Sequence, residues 1–453
     1  MEPTNLHEIA GMAGATLLRG LGDTLVSRVG KDTRTVQPGE LYVALRGENF
    51  DGNAFAADAA ARGASAVLMD SAEAAAGLPA AFPVLLAEDS LAALTRLAAA
   101  WRSRLDLRVL GITGSNGKTS TKEFAAAVLS TKFKVSKTHG NLNNHIGVPL
   151  SILSAGAADR AAVWEIGMNH PGEIAPLAAL IRPEAAIITN VGVAHIEFLG
   201  SREAIAQEKG SLAEALPETG VLILSHDDDM SGRIAARTPA RTLRTGLSGG
   251  DITADNLVEG DGSCAFVLHV DGRAIPAEIP CNGAHMVANA LHAVAAGIAF
   301  GIPPEDAAHA LARARLTGGR LARRIIRGVN FLDDTYNASP DSMVAALTTL
   351  RALPGTGHRI AVLGRMGELG SHAPEGYLRT GIAAAKFADI LVTVGPETAP
   401  LAEAARASGM ARIHEVQDTA SAARMLSQLA RAGDIVLVKG SRSARMETAI
   451  EQF

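Results

Sequence analysis

Arg108-Val109-Leu110-Gly111-Ile112-Thr113-Gly114-Ser115-Asn116-Gly117-Lys118-Thr119-Ser120 is the stretch whose reading decides the fold. Its first five residues form an apolar run and predict a strand. A glycine-rich turn follows, and a helix is predicted over 118–130. Glycines let the backbone curl so that its N–H groups face an anion, and the helix start adds partial positive charge. In this pattern Gly114, Ser115, Asn116, Gly117, Lys118, Thr119 and Ser120 are candidates to hold a nucleotide's phosphates. Lys118 is placed to reach the β- and γ-phosphates, and the Thr119 hydroxyl to coordinate Mg²⁺. The spacing departs from the general phosphate-loop pattern, because Ile112 stands where that pattern carries its first glycine. An ordinary glycine-rich turn is the plain alternative. The Gly-Lys-Thr ending between a strand and a helix favours the phosphate loop.

Outward from this stretch the chain reads as α/β throughout. Residues 1–104 carry strand-like runs at 40–45 and 64–69 and helical runs at 54–62 and 91–104, which predicts a small α/β domain. Residues 105–318 add continuous apolar strands at 162–166 and 185–190, the sign of a parallel sheet covered on both faces. The stretch 251–278 reads as antiparallel strands, with helices following from His285 and Pro304. After Gly318-Gly319 the alternation restarts with strands at 360–364, 390–394 and 434–438. Residues 319–453 are therefore expected to form an open, doubly wound, Rossmann-like domain.

Composition narrows the function classes. Of 453 residues 47% are hydrophobic and 20% charged, which suits a multidomain globular protein. A net charge of −5 gives no basic footprint, so nucleic acid is not an expected partner. The two cysteines, Cys264 and Cys281, have no metal-ligand spacing and suit a reducing compartment. The start Met1-Glu2-Pro3-Thr4 shows no secretory signal pattern. The most apolar helix, 287–302, carries Asn289 and His292 and is shorter than the ~20 residues that span a bilayer. A buried helix, no membrane insertion and a cytoplasmic location are the expectations.

Three more residues fit a metal-dependent nucleotide site. Glu165 ends the strand in Trp164-Glu165-Ile166-Gly167-Met168-Asn169, and carboxyl ends of strands are where open α/β sheets bind ligands. His195 follows the strand at 185–190 and should share that rim, although a satisfied loop histidine reads equally well. Lys209 falls on a helix predicted over 202–216, where composition alone favours a solvated lysine.

With these residues in place the chain resembles the Mur ligase superfamily, which builds the peptide of bacterial peptidoglycan, over essentially its whole length. Three segments are similar to the branch that adds D-alanyl-D-alanine: His139-Gly140-Asn141-Leu142-Asn143-Asn144-His145-Ile146-Gly147, Glu165-Ile166-Gly167-Met168-Asn169-His170-Pro171-Gly172-Glu173, and Asp333-Asp334-Thr335-Tyr336-Asn337-Ala338-Ser339-Pro340-Asp341-Ser342-Met343. The Asp-Asn-Pro-Arg signature of the branch that adds diaminopimelate is absent. The resemblance implies an N-terminal UDP-sugar domain, a central ATPase domain and a C-terminal ligase domain. It makes Lys118, Glu165, His195 and Lys209 the catalytic set, with Thr119, Glu165 and His195 serving two Mg²⁺ positions and Lys209 open to carbamoylation. It assigns Asn289 to adenine and Arg320 and Asp334 to ATP phosphate and ribose. Thr33, Arg34, Arg46, Gly47 and Asp51 fall in segments that hold the UDP-sugar, and Asn143, Asn144, Tyr336 and Asn337 in the acceptor-specific ones. The implied substrates are ATP, UDP-N-acetylmuramoyl-tripeptide and D-alanyl-D-alanine, acted on by a monomer.

Arg365, Gly367 and Asn53 depart from the family's usual residues at their positions, which bears on local substrate contacts. The nearest rival is another ligase of the superfamily, adding the third amino acid or extending folate with glutamate. Rivals from other classes are a non-catalytic nucleotide switch and a phosphotransferase acting on a small molecule.

Overall fold

Every residue from 1 to 453 is described by the computed structural model. The chain forms three large sheets, of five, nine and six strands, and two small two-stranded ribbons. By packing it divides into two compact units. One comprises Met1–Gly111, Phe133–Met168 and Glu173–Glu184, and the other Ile112–Lys132, Asn169–Gly172 and Ala185–Phe453.

The first unit holds the five-stranded sheet in the order Thr16–Arg19, Val84–Leu86, Ala66–Met69, Glu40–Val43, Arg28–Gly30. Only Thr16–Arg19 runs antiparallel to its neighbour. The strands Glu40–Val43 and Ala66–Met69 are buried at every position, which explains why they read as unbroken apolar runs rather than alternating ones. Tyr42, Ala56, Ala59, Val67, Met69 and Val84 form the core on one side. The same unit pairs Val135–Lys137 in parallel with Ala161–Glu165.

Helix Ser90–Arg104 begins at Asp89, whose carboxylate accepts from the Ala92 N–H, the usual work of an N-cap aspartate. Its last turn points inward. Trp101 Nε1 donates to the Ala155 carbonyl at 2.9 Å. Buried Arg102 donates to the carbonyls of Ile181 at 2.8 Å and Leu105 at 3.2 Å. Ile181 is the last residue of helix Ile174–Ile181, so the guanidinium satisfies acceptors that a helix end leaves orphaned. Burial lowers the Arg102 pKa to about 10.

In the second unit Ala185–Ile188, Val221–Ser225 and Arg241–Gly246 pair in parallel. Ile252–Glu259, Cys264–Val270 and Arg273–Ile279 then form an antiparallel meander, in line with the reading of 251–278 as antiparallel strands. Helix Lys118–Leu129 packs against helix Ala284–Ala299. The latter is almost wholly buried, and no helix of the chain is long and apolar enough to cross a membrane.

The six-stranded sheet belongs to the same unit. Its order is Ala322–Ile326, Val329–Asp334, Ile435–Lys439, Arg359–Leu363, Ile390–Val394, Ile413–Val416. Ala322–Ile326 is the one antiparallel strand. Asp334 and Lys439 are register partners, as are Leu363 and Lys439. Their side of the sheet is the carboxyl end, where such sheets take ligands. Helix Pro340–Ala352 starts with a capping box made by Ser339 and Ser342, with Pro340 at its first turn.

Arg102→Ala leaves buried carbonyls without donors and is expected to lower stability by about 1–3 kcal/mol. Arg34→Ala, whose side chain is 83% exposed, should stay within about 0.5 kcal/mol of the parent. Denaturant midpoints of the two variants provide the check.

Candidate active site

The phosphate loop is held from below by the strand end that follows Ile188. Ser115 N–H donates to the Asn190 carbonyl at 2.9 Å, and Asn116 N–H to Asn190 Oδ1 at 3.0 Å. Thr189 Oγ1 donates to the Asn116 carbonyl at 2.6 Å, and Asn190 Nδ2 to the same carbonyl at 3.2 Å. Two of the loop's amides are therefore committed to the scaffold. Glycine is required twice. Gly114 has φ of +148° and a Cβ there would collide with Thr189 Oγ1, while Gly117 has φ of +80° and a Cβ would collide with Asn289 Oδ1. Lys118 curls over this frame, its Nζ donating to the Gly114 carbonyl at 2.7 Å.

Several expected residues gather around the loop. Asn289, 6% exposed, lies against Gly117. Arg320 Nη2 donates to Thr119 Oγ1 at 3.1 Å, and its guanidinium stacks 3.9 Å from the Tyr336 ring centroid. Asp334 accepts the Leu321 N–H at 3.2 Å and pairs with Lys439 at 2.5 Å. Lys439 also donates to the Asn337 carbonyl at 2.9 Å. Arg320, Asp334, Tyr336 and Asn337 thus form one connected group, with Arg320 reaching the phosphate loop.

Lys209 is not the solvated lysine that composition alone favours. It lies on helix Arg202–Glu214 and is 1% exposed. Burial lowers its pKa well below the ordinary lysine value, the Lys118 charge lowers it further, and Glu208 partly opposes the shift. A buried amine in this field is readily present in neutral form. His195 has φ of +64° and caps a short helix, and its Nδ1 lies 2.5 Å from Glu368 Oε2. The hydrogen bond to His195 holds the Glu368 carboxyl below its usual range, against the effect of burial.

The remaining candidates lie in the first unit. Glu165 is 2% exposed, its Oε1 accepts from Asn143 Nδ2 at 2.8 Å, and its N–H donates to Thr138 Oγ1 at 2.9 Å. Asn144 Oδ1 accepts the N–H groups of Ile146 and Gly147 at the start of helix Gly147–Ser154, so this asparagine acts as a helix-start acceptor. Thr33 opens a 3-10 turn capped by Asp32, which also pairs with Arg34 at 2.6 Å. That bond lowers the Asp32 pKa to about 2. Arg46 and Gly47 pair with Asp51 and Phe50 in a small ribbon. Arg46 and Asn53 both donate to Asp70, and Asn53 also donates to Asp51. Asn53, a departure from the family pattern, is thereby a buried bridge between two carboxylates. Asp32 and Asp51 both act on the Tyr42 hydroxyl, whose pKa rises to about 12 mainly by burial.

Glu368, Lys439 and Asp341 are not singled out by the sequence, although Asp341 lies in the quoted segment 333–343. Glu368 stands in the conspicuous Leu363-Gly364-Arg365-Met366-Gly367-Glu368-Leu369-Gly370 segment. Lys439 has a signal only in hindsight, as a charge at the end of the apolar run Ile435–Lys439.

Against known proteins, three family models match in chain order. They are the Mur ligase family catalytic domain over residues 25–102, the Mur ligase middle domain over 112–297, and the Mur ligase glutamate ligase domain over 319–442. A UDP-N-acetylmuramoyl-tripeptide–D-alanyl-D-alanine ligase of Bacillus subtilis (strain 168) is 37% identical over 452 residues, spanning 99% of this chain and 98% of the relative. The chain belongs to the Mur ligase family. A ligase of the same name from Escherichia coli (strain K12) is also 37% identical, over 94% of each chain. Among solved Mur ligases, MurF from Acinetobacter baumannii superposes with a TM-score of 0.90 at 31% identity, covering 100% of this chain and 98% of that one. The Thermotoga maritima MurF ligase in complex with ADP gives 0.82 at 29% identity, over 94% and 96%. The three sheets are those of a Mur ligase's N-terminal, central and C-terminal parts.

Beneath the loop, His292 ties Thr189 to the buried helix. Its Nδ1 lies 2.8 Å from Thr245 Oγ1 and its Nε2 3.3 Å from the Thr189 carbonyl. Burial lowers its pKa from 6.5 to about 4. Because the unfolded histidine takes up its proton first, its contribution is fully present above pH 6.5 and is lost as pH falls toward 4. The loss amounts to about 3 kcal/mol for this group. His292→Gln should flatten that part of the acid limb, read as melting temperature against pH.

Proposed function

We propose that this chain joins D-alanyl-D-alanine to UDP-N-acetylmuramoyl-tripeptide, using ATP and passing through an acyl phosphate. The observation that carries this reading is the end-to-end, 37% likeness to ligases of that name. The phosphate loop with Arg320 drawn onto Thr119 supports it.

Residues 1–104 anchor the UDP-sugar through Thr33, Arg34, Arg46, Gly47 and Asp51. Residues 105–318 bind ATP, and residues 319–453 complete its site. Each large sheet falls inside one of these spans, which supports the division. Gly114 to Ser120 receive the phosphates, Asn289 the adenine, and Arg320 and Asp334 the phosphate and ribose. Asn143, Asn144, Tyr336 and Asn337 serve the tripeptide and dipeptide.

Thr119, Glu165 and His195 are the groups that would hold Mg²⁺. No three acidic, histidine or cysteine side chains converge as a protein-only metal cluster. The oxygens of Thr119 and Glu165 suit a hard cation completing its shell with water and phosphate oxygens, for which a histidine is a less usual ligand. When bound, Mg²⁺ neutralises charge on the transferring phosphoryl group. Lys118 spreads positive charge over the same group and orients it toward the tripeptide's terminal carboxylate. That carboxylate oxygen bonds to the γ-phosphorus as ADP leaves. The dipeptide amine then attacks the acyl carbon, loses a proton, and expels phosphate. Water must be excluded while the acyl phosphate waits.

Lys209 is read as a carbamate. A neutral Nζ adds to CO₂ and releases a proton, leaving a carbamate anion in the field of the Lys118 charge. The carbamate's charge is opposite to that of Lys118, the lesser of the two influences, after burial, that lower the Lys209 pKa. The protein is read as a cytoplasmic monomer.

Phosphate release with UDP-muramoyl-tripeptide, with and without D-alanyl-D-alanine, is the direct test. The dipeptide should raise release and yield an amide product. A nucleotide switch or small-molecule phosphotransferase would show neither. Lys118→Ala should abolish ligation and keep UDP-sugar binding, as measured by calorimetry. Lys209→Ala should be inactive and regain activity with a short carboxylic acid; full activity without it would remove Lys209 from the mechanism.

A further inference from the structure

One helix start touches both the phosphate loop and the loop that leads to His195. Ser339 caps helix Pro340–Ala352, and its Oγ donates to Asn116 Oδ1 at 2.9 Å. Two residues later Asp341 Oδ2 accepts the Val193 N–H at 3.2 Å, and its Oδ1 accepts from Arg379 at 3.0 Å. Between them sits Gly192, which has an ordinary φ. A Cβ there would collide with Asp341 Oδ2 and stand 3.3 Å from Asn116 Nδ2. Asn116 is otherwise bonded only through its backbone, to Thr189 and Asn190. The far side of the 191–195 loop is fixed as well, since Val191 N–H donates to Asp228 at 2.5 Å and the Val191 carbonyl accepts from Arg202 at 2.9 Å.

Two bland accounts exist, and each explains only half of this. A capping box explains Ser339 and Ser342 but not a hydroxyl also bonded to the phosphate loop 223 residues away. An acidic residue in a helix's first turn is favoured by the helix dipole, but that does not require it to accept the Val193 amide or to lie where Gly192 admits no side chain.

We infer that Ser339 and Asp341 are positioning residues for the ligation step. They lock Asn116 and Gly192-Val193 to one rigid helix start, so that the phosphate grip and the His195 loop keep a fixed mutual register. This inference rests on the ligase reading above. Neither residue needs to touch the reactants. Their effect appears in the alignment of the in-line transfer, where displacements near 1 Å cost about a hundredfold, and leaves nucleotide affinity largely unchanged because the loop's own scaffold, Thr189 and Asn190, is untouched.

The test compares Asp341→Ala, Gly192→Ala and the double variant in the ligation assay, with nucleotide affinity and melting temperature measured on each. The expected result for each single variant is a kcat lowered about ten- to a hundredfold, with the ADP dissociation constant and the melting temperature close to the parent's. The double variant should lose no more than the worse single one, because removing the carboxylate removes what the new methyl strikes. Ser339→Thr, which keeps the hydroxyl, should retain more activity than Ser339→Ala. Multiplicative losses in the double variant, or losses of kcat that track melting temperature, would overturn the inference. So would unchanged kcat in the single variants. If the parent chain itself shows no dipeptide-dependent ligation, it is the ligase reading that fails.

Discussion

The turn into helix Lys118–Leu129 is held chiefly from the side of the neighbouring strand end, and much of the second unit's polar structure follows from that. Asn190 and Thr189 do this by binding the amides of Ser115 and Asn116 and the Asn116 carbonyl. Left-handed Gly117 then turns the chain into the helix where Asn289 leaves no room for a side chain. His292 carries the support one layer deeper, from Thr189 into a helix buried along nearly its whole length.

A site that must accept a polyanion gathers cations, and cations repel when buried together. Lys118 disposes its ammonium toward loop carbonyls, and Lys439 is matched to Asp334. Arg320 combines a hydroxyl partner with the face of Tyr336, an arrangement that suits a weakly hydrated guanidinium. Lys209 differs, its charge disfavoured first by burial and then by Lys118, and partly favoured by Glu208.

What was legible in the sequence depended on how local the determining physics is. The phosphate loop reads from thirteen consecutive residues because strand, turn and helix start are all set by near neighbours. The fully buried strands, such as Glu40–Val43 and Ala66–Met69, read from their apolar continuity. Short strands with alternating or largely exposed faces, such as Thr16–Arg19, did not. Lys209 could be placed on a helix, but its burial could not be foreseen, since a 3.6-residue period does not say which face a lysine shares. The contacts of Ser339 with Asn116 and of Glu368 with His195 link positions more than 170 apart, and no spacing rule reaches that far. The acceptor role of Asn144 Oδ1 at the start of helix Gly147–Ser154 was likewise not legible, because a motif does not say which backbone amides its polar side chains meet.

The contacts that bring the last sheet's residues onto the phosphate loop are polar: Arg320 to Thr119, Ser339 to Asn116, Asp341 to Val193, Glu368 to His195. An apolar interface would exclude the ligands that must enter between these groups and would resist reopening. Hydrogen bonds contribute only about 0.5–1.5 kcal/mol net each, because water or a ligand oxygen can replace either partner. Thr119 and His195 are among the groups read as cation ligands, so Arg320 and Glu368 occupy positions from which an incoming cation and phosphate could displace them. Ser339 and Asp341 differ in kind, since they hold backbone and loop geometry rather than the proposed ligands themselves. The same helix start can therefore remain docked while the bonds beside it are exchanged.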